Sequence, residues 1–129
     1  APAGEPVWAA GKSYGGRMAS MAEAERPLGI AGLVYLGYPL HPPGDPDRER
    51  AAHLPRIAVP QLFVEGTHDP FVMPHEGLER AVEACHDARI AWIEGGGHSF
   101  EVKGQKRPAD EVGAGLAPPV TEFLRARVL

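Results

Sequence analysis

Ser13 stands in Gly-Lys-Ser-Tyr-Gly at positions 11 to 15, after a short apolar run and before a stretch of small residues suited to a helix. The G-x-S-x-G spacing fits a sharp strand-to-helix turn that presents a serine hydroxyl at the carboxyl edge of a sheet. Gly11 and Gly15 are expected to give room where side chains would collide as strand and helix close. The helix would begin near Tyr14, making its N–H a candidate donor to a developing oxyanion. An unassisted hydroxyl is a poor nucleophile near neutral pH, so the chemistry also needs a base, and a group to orient that base. The plain alternative is a glycine-rich turn with an incidental serine. Lys12 suggests a phosphate cradle, but the spacing G-x-x-x-x-G-K-[ST] is absent.

Elements able to position such groups are legible. Val7 to Ala10, Ile30 to Leu36, Pro60 to Glu65 and Arg89 to Ile93 read as four short strands, the third near-continuously apolar, as a strand covered on both faces should be. Met18 to Arg26 reads as helix, stopped by Pro27. Gly37 to Asp47 is too rich in proline for regular structure, and Arg48 to His53 could form one or two helical turns. His75 to Asp87 fits a helix with Leu78, Val82 and Cys85 on one face, and Val120 to Leu129 a closing helix with Phe123 and Leu124 toward the sheet. Alternation of this kind argues for an α/β fold with a parallel sheet of about four strands.

Composition bounds the rest. A chain of 129 residues suits one domain, and the 43% hydrophobic and 23% charged content is that of a soluble globular protein. A net charge of −4 gives no electrostatic reason to expect nucleic acid or an anionic membrane, and the cluster Lys103, Lys106, Arg107 reads as a solvated loop. No apolar run approaches a membrane span. The single cysteine, Cys85, excludes an internal disulfide, reads as a semi-buried thiol and suits a cytoplasmic location. The opening Ala-Pro-Ala-Gly-Glu-Pro lacks the basic start and apolar centre of a signal peptide, and reads as a linker. Gly and Pro supply 16 and 14 residues, about twice the usual share, but fall mostly at the ends of apolar runs, where punctuation is needed.

In a parallel sheet, functional groups gather in the loops leaving the strands' carboxyl ends. Here those loops carry Ser13, His41, Asp69 and His98 in turn. Gly-Lys-Ser-Tyr-Gly-Gly-Arg at 11 to 17, Gly-Thr-His-Asp-Pro at 66 to 70 and Gly-Gly-Gly-His-Ser-Phe at 95 to 100 resemble the carboxyl-terminal part of an α/β-hydrolase, nearest to the small dienelactone-hydrolase-like enzymes. The resemblance implies Asp69 and His98 as partners of Ser13, His98 acting as base and then acid, and Asp69 fixing its tautomer. Glu65 and Glu94 are rival acids at strand ends. His53, His75 and His86 show no metal-ligand spacing with one another, His68 beside the acid reads as facing solvent, and His41, in a proline-stiffened loop over the edge, is a candidate substrate contact.

The resemblance also implies what is missing. Residues 1–129 would form one domain lacking the strands that precede the nucleophile elbow, the strand-to-helix turn at Ser13, leaving the first strand as an exposed edge open to a homodimer or a partner chain. The function expected is a serine hydrolase acting on a small-molecule ester or thioester, with no cofactor and no metal. The alternative is a non-catalytic or incomplete domain of the same fold that binds a partner.

Overall fold

The apolar runs become four parallel strands in a computed structural model that describes residues 7–98 and 118–125. These are β1 (Trp8–Lys12), β2 (Gly32–Leu36), β3 (Gln61–Gly66) and β4 (Ala88–Ile93), in the spatial order β1-β2-β3-β4. Lys12 pairs with Leu36, Leu36 with Val64, and Gly66 with Ile93, so the strands' carboxyl ends open onto one edge. β1 is an edge strand among the described residues.

Because side chains alternate across a strand, neighbouring residues of the central strands feed two separate cores. Leu33, Tyr35 and Phe63 face one side, where Ala19 and Ala24 of α1 (Tyr14–Glu25) and Leu78 and Val82 of α2 (His75–Glu83) cover them. Val34, Leu62 and Val64 face the other, packed with Phe123 of α3 (118–125) and with Trp8, whose ring meets Phe123 edge-on at 5.9 Å. Leu124 is half-buried. Every residue of β3 is buried, which accounts for its unbroken apolar reading. The two polar members are bonded: Gln61 Oε1 accepts the Tyr35 hydroxyl at 2.6 Å, and Glu65 Oε1 accepts the Tyr38 N–H at 2.7 Å.

Three expectations need correction. Residues 48–53 are not helical, because the Arg50 N–H donates to Leu40 O at 2.6 Å and Arg50 O accepts the Tyr38 hydroxyl at 2.7 Å, tying this stretch back to the loop after β2. A single 3-10 turn forms instead at Leu54–Arg56. α2 ends at Glu83 rather than Asp87, since Asp87 O must accept the Gln61 N–H at 2.9 Å as β4 joins the sheet. The third correction concerns the elbow: Gly16, and not Gly15, makes the close approach to Gly11. A Cβ on Gly11 would lie 2.6 Å from Gly16 Cα, and one on Gly16 would lie 2.8 Å from Gly11 O, whereas one on Gly15 would meet nothing within 4 Å. The cluster at Lys103, Lys106 and Arg107 lies outside the described residues.

Helix α1 is unusual in what it shows to solvent. Gly16, Ser20 and Glu23 are buried, while Tyr14, Met18 and Met21, at spacings of four and three on one stripe, are exposed. Its large apolar side chains therefore point away from the sheet.

The elbow predicts opposite outcomes for two glycines. Gly11→Ala forces backbone apart and should destabilise the protein by about 1–3 kcal/mol. Gly15→Ala enters open space in the first turn of a helix and should be neutral or stabilising by up to about 1 kcal/mol. Urea denaturation of both variants checks this, and equal midpoints would contradict the assignment of the close contact.

Candidate active site

Ser13 stands between the end of β1 and the start of α1, and its backbone takes φ 51° and ψ −120°. A positive φ on a residue with a Cβ costs about 1–3 kcal/mol and persists only where the surroundings enforce it. Two hydrogen bonds do so: the Ser13 N–H donates to Leu36 O at 2.8 Å, and Ser13 O accepts the Arg17 N–H at 3.2 Å. Tyr14 opens the helix, so its N–H lies in the first turn, where no intrahelical acceptor exists. Its ring is exposed.

Asp69 follows β3 and is fully buried. Oδ1 accepts the Phe71 N–H at 2.8 Å, capping the one-turn 3-10 helix Pro70–Val72, and Oδ2 lies 2.7 Å from His98 Nδ1. The histidine loop is laid against the acid loop by the His68 N–H, which donates to Gly96 O at 2.8 Å, and by the Gly95 N–H, which donates to Thr67 Oγ1 at 2.7 Å. Gly66 permits this approach, since a Cβ there would lie 2.5 Å from Gly97 O. The Phe71 ring, 4.2 Å from the imidazole, supports one face of His98.

The chain of polar contacts closes at Ser13, whose Oγ lies 2.6 Å from His98 Nε2. A carboxylate can only accept, so His98 Nδ1 carries the proton toward Asp69 and Nε2 accepts from the Ser13 hydroxyl. That is the polarity a general base needs.

A second serine-histidine pair has the opposite polarity. Ser20 Oγ donates to Arg17 O at 2.6 Å, so His53 Nε2, 2.7 Å away, must donate to Ser20. Ser20 is fully buried, and its proton is committed to a carbonyl. Burial, with Arg17 and Arg56 nearby, pushes the His53 pKa down and favours the neutral ring. This pair is a packing link between α1 and the 53–56 turn.

The rival acids and remaining histidines are placed elsewhere. Glu94, His68 and His86 are exposed, and His75 Nε2 donates to Thr67 O at 2.8 Å. Cys85 is half-buried, its thiol raised in pKa by burial, with Sγ donating to Ala81 O at 3.3 Å. No group of three or more His, Cys, Asp or Glu side chains among the described residues is placed to hold a metal ion, and none of the described helices is long and apolar enough to cross a membrane.

Ser13 opens into a cleft of about 430 Å³, within the usual range for small-molecule sites. Pro39, Pro43 and Phe71 give it apolar walls, while Arg17, Arg50 and His41 add basic groups. Arg17 had a legible signal, four residues after Ser13 on one helix face. Arg50 and Phe71 had none, because distant loops bring them in.

Glu65, a rival acid by its position at a strand end, has a different place in the structure. It is fully buried, with Oε2 lacking a hydrogen-bond partner. Burial raises its pKa well above the ordinary carboxylate range; the Tyr38 N–H opposes that shift and Asp69 adds to it. A carboxyl whose folded pKa is raised resists ionisation in the fold, so its stability contribution falls as pH rises from the unfolded value, about 4.3. Glu65→Gln keeps the acceptor for Tyr38 N–H without an ionisable group. The variant should be more stable than wild type at pH 7, with the difference shrinking as pH falls toward about 4. Urea midpoints across that range test this, and a difference that grows on acidification would contradict it.

The comparisons with known proteins concern the family and the fold. The family model described as "Alpha/beta hydrolase domain" matches residues 2–115. A dienelactone hydrolase from Anabaena variabilis is 27% identical, with a TM-score of 0.65 over 95% of this chain and 50% of that one. Est1E from Butyrivibrio proteoclasticus, solved with ferulic acid bound, shares the fold at 18% identity and a TM-score of 0.67, over 96% of this chain and 60% of that one. A monoacylglycerol lipase from Paleococcus ferrophilus does so at 18% and 0.64, over 93% and 70%. The chain spans about half the length of the first of these relatives. It belongs to the alpha/beta hydrolase family, is dienelactone-hydrolase-like, and corresponds to the carboxyl-terminal portion of that fold.

Proposed function

We propose that the protein is a serine hydrolase that cleaves a carboxylic ester or thioester through an acyl-enzyme, with Ser13 as nucleophile, His98 as base and Asp69 as orienting acid. The observation that carries this reading is the continuous contact from Ser13 Oγ to His98 Nε2 at 2.6 Å and from His98 Nδ1 to Asp69 Oδ2 at 2.7 Å, on a serine held at positive φ. Ser13 Oγ attacks the carbonyl carbon as His98 Nε2 takes its proton, and the oxyanion forms toward the Tyr14 N–H. His98 returns that proton to the departing alcohol or thiol. Water then attacks the acyl-serine, His98 taking its proton and passing it to Ser13 Oγ as the acid leaves.

Arg17 and Arg50 make the cleft electropositive, which favours negative charge developing on the carbonyl oxygen. In this fold a second oxyanion donor comes from a loop that precedes the elbow.

A second reading has its own observation. β1 is an edge strand among the described residues, and the Tyr14, Met18 and Met21 stripe is exposed on the helix that follows it. The open edge offers backbone groups to an added strand and the stripe offers apolar surface on the solvent side of α1, to a second copy or another polypeptide, and the domain would then act by binding. A monomeric mass by light scattering at micromolar concentration would count against association of copies.

Incubation with a fluorophosphonate, read by intact mass, tests the principal reading. One adduct per chain should form and be absent in Ser13→Ala, while no adduct in folded protein would contradict it. Asp69→Asn leaves the nucleophile in place but, with Oδ1 still accepting the Phe71 N–H, sets an amide NH2 donor against His98 Nδ1 and favours the wrong tautomer, and should lower ester turnover by about 10³–10⁴. Turnover within tenfold of wild type would remove Asp69 from the mechanism.

A further inference from the structure

The loop after β2 places one buried imidazole between two spaces. His41 is only 2% exposed, yet it lines both the Ser13 cleft and a second cleft of about 400 Å³ bounded by Pro46, Glu49, Pro74 and Arg80. A residue that borders both is placed to separate them.

The wall is fixed in place. The His41 N–H donates to Phe71 O at 3.2 Å, and the carbonyl of the preceding residue, Leu40, accepts the Arg50 N–H at 2.6 Å. Nδ1 lies 2.8 Å from Pro42 O, and a carbonyl only accepts, so Nδ1 carries the proton. Prolines at 39, 42 and 43 limit the backbone further. Nε2 is buried and makes no hydrogen bond. The Nε2 edge of the ring thus contributes bulk and no polar pairing.

The two spaces differ in character. On the Ser13 side, Pro39, Pro43 and Phe71 offer apolar surface to a chain extending from the reacting carbonyl. On the far side, Glu49 and Arg80 face each other at 3.7 Å, both partly in solvent. An acyl chain running along the proline wall meets the imidazole before it can reach that second space.

Resting on the reading of Ser13 as nucleophile, we propose that His41 is a specificity-determining partition that ends the acyl pocket and restricts the substrate to esters or thioesters of short acyl groups. Removing the ring joins the two clefts and lets a longer chain pass through. Leucine, of similar bulk, preserves the wall. Asparagine, smaller but able to donate to Pro42 O, gives an intermediate opening and keeps the test available where alanine loosens the loop.

The test uses two fluorophosphonates that differ only in a methyl or an octyl group on phosphorus, the position that stands in for the acyl chain. Ser13 Oγ bonds to phosphorus, fluoride leaves, and the serine proton passes to His98. Wild type should react with the methyl probe at least about tenfold faster than with the octyl probe. His41→Ala should lower that ratio by about tenfold or more, His41→Asn by less, and His41→Leu should keep it. A ratio unchanged in both His41→Ala and His41→Asn, with Ser13 still labelled, overturns the partition and leaves the nucleophile standing. Labelling of Ser13 by neither probe in folded wild type overturns the nucleophile assignment and the partition with it.

Discussion

The site depends on one close approach of backbone to backbone, Gly16 of α1 against Gly11 of β1. With no side chain at either position the helix can start at once after the strand, the chain turning through Ser13 at φ 51°. That path directs Oγ toward the loops at the strand ends and leaves the Tyr14 N–H in the first turn of the helix. The parallel register then makes the geometry general. Because the carboxyl ends of β1 to β4 open on one edge, residues far apart in sequence meet there without a long excursion of chain.

Around that edge the charges are arranged unequally. Asp69 is buried but fully engaged, one oxygen on a backbone N–H and the other on His98. Glu65, four residues earlier, is equally buried, yet only one of its oxygens is bonded, and its own ionisation is opposed by burial and by Asp69. Two adjacent acids thus have different chemistry set by hydrogen-bond supply: one suits a carboxylate and the other a neutral carboxyl. The Tyr38 hydroxyl, pushed up to about 12 chiefly by burial, likewise stays protonated and tethers Arg50 O.

The strands and the glycine-flanked serine were legible because apolar runs bounded by Gly and Pro leave few alternatives in a chain this short. Element ends were less so, since pairing decided them: Asp87 left its expected helix to accept the Gln61 N–H, and Arg50 left its expected turns to bond Leu40 O. The choice between Gly15 and Gly16 could not be read from the motif, because it depends on which residue the helix turns back onto the strand. The positions of Asp69 and His98 were legible as strand-end residues, and their pairing followed from the resemblance, but the Phe71 and Gly96 contacts that hold the two loops were not legible. Nor was His41's burial, which long-range contacts to Phe71 and Arg50 create around a loop that reads as exposed.

The claim on which the rest turns is that this polar chain makes Ser13 a nucleophile. Quenching a reaction with an activated ester such as p-nitrophenyl acetate in mild acid, then mapping the acyl group by peptide mass, addresses it directly. The account predicts acetyl on Ser13, formed within the time of mixing, and lost in His98→Gln. Acetyl found only on lysines or on Cys85, or acylation of Ser13 at the same rate without His98, would contradict it.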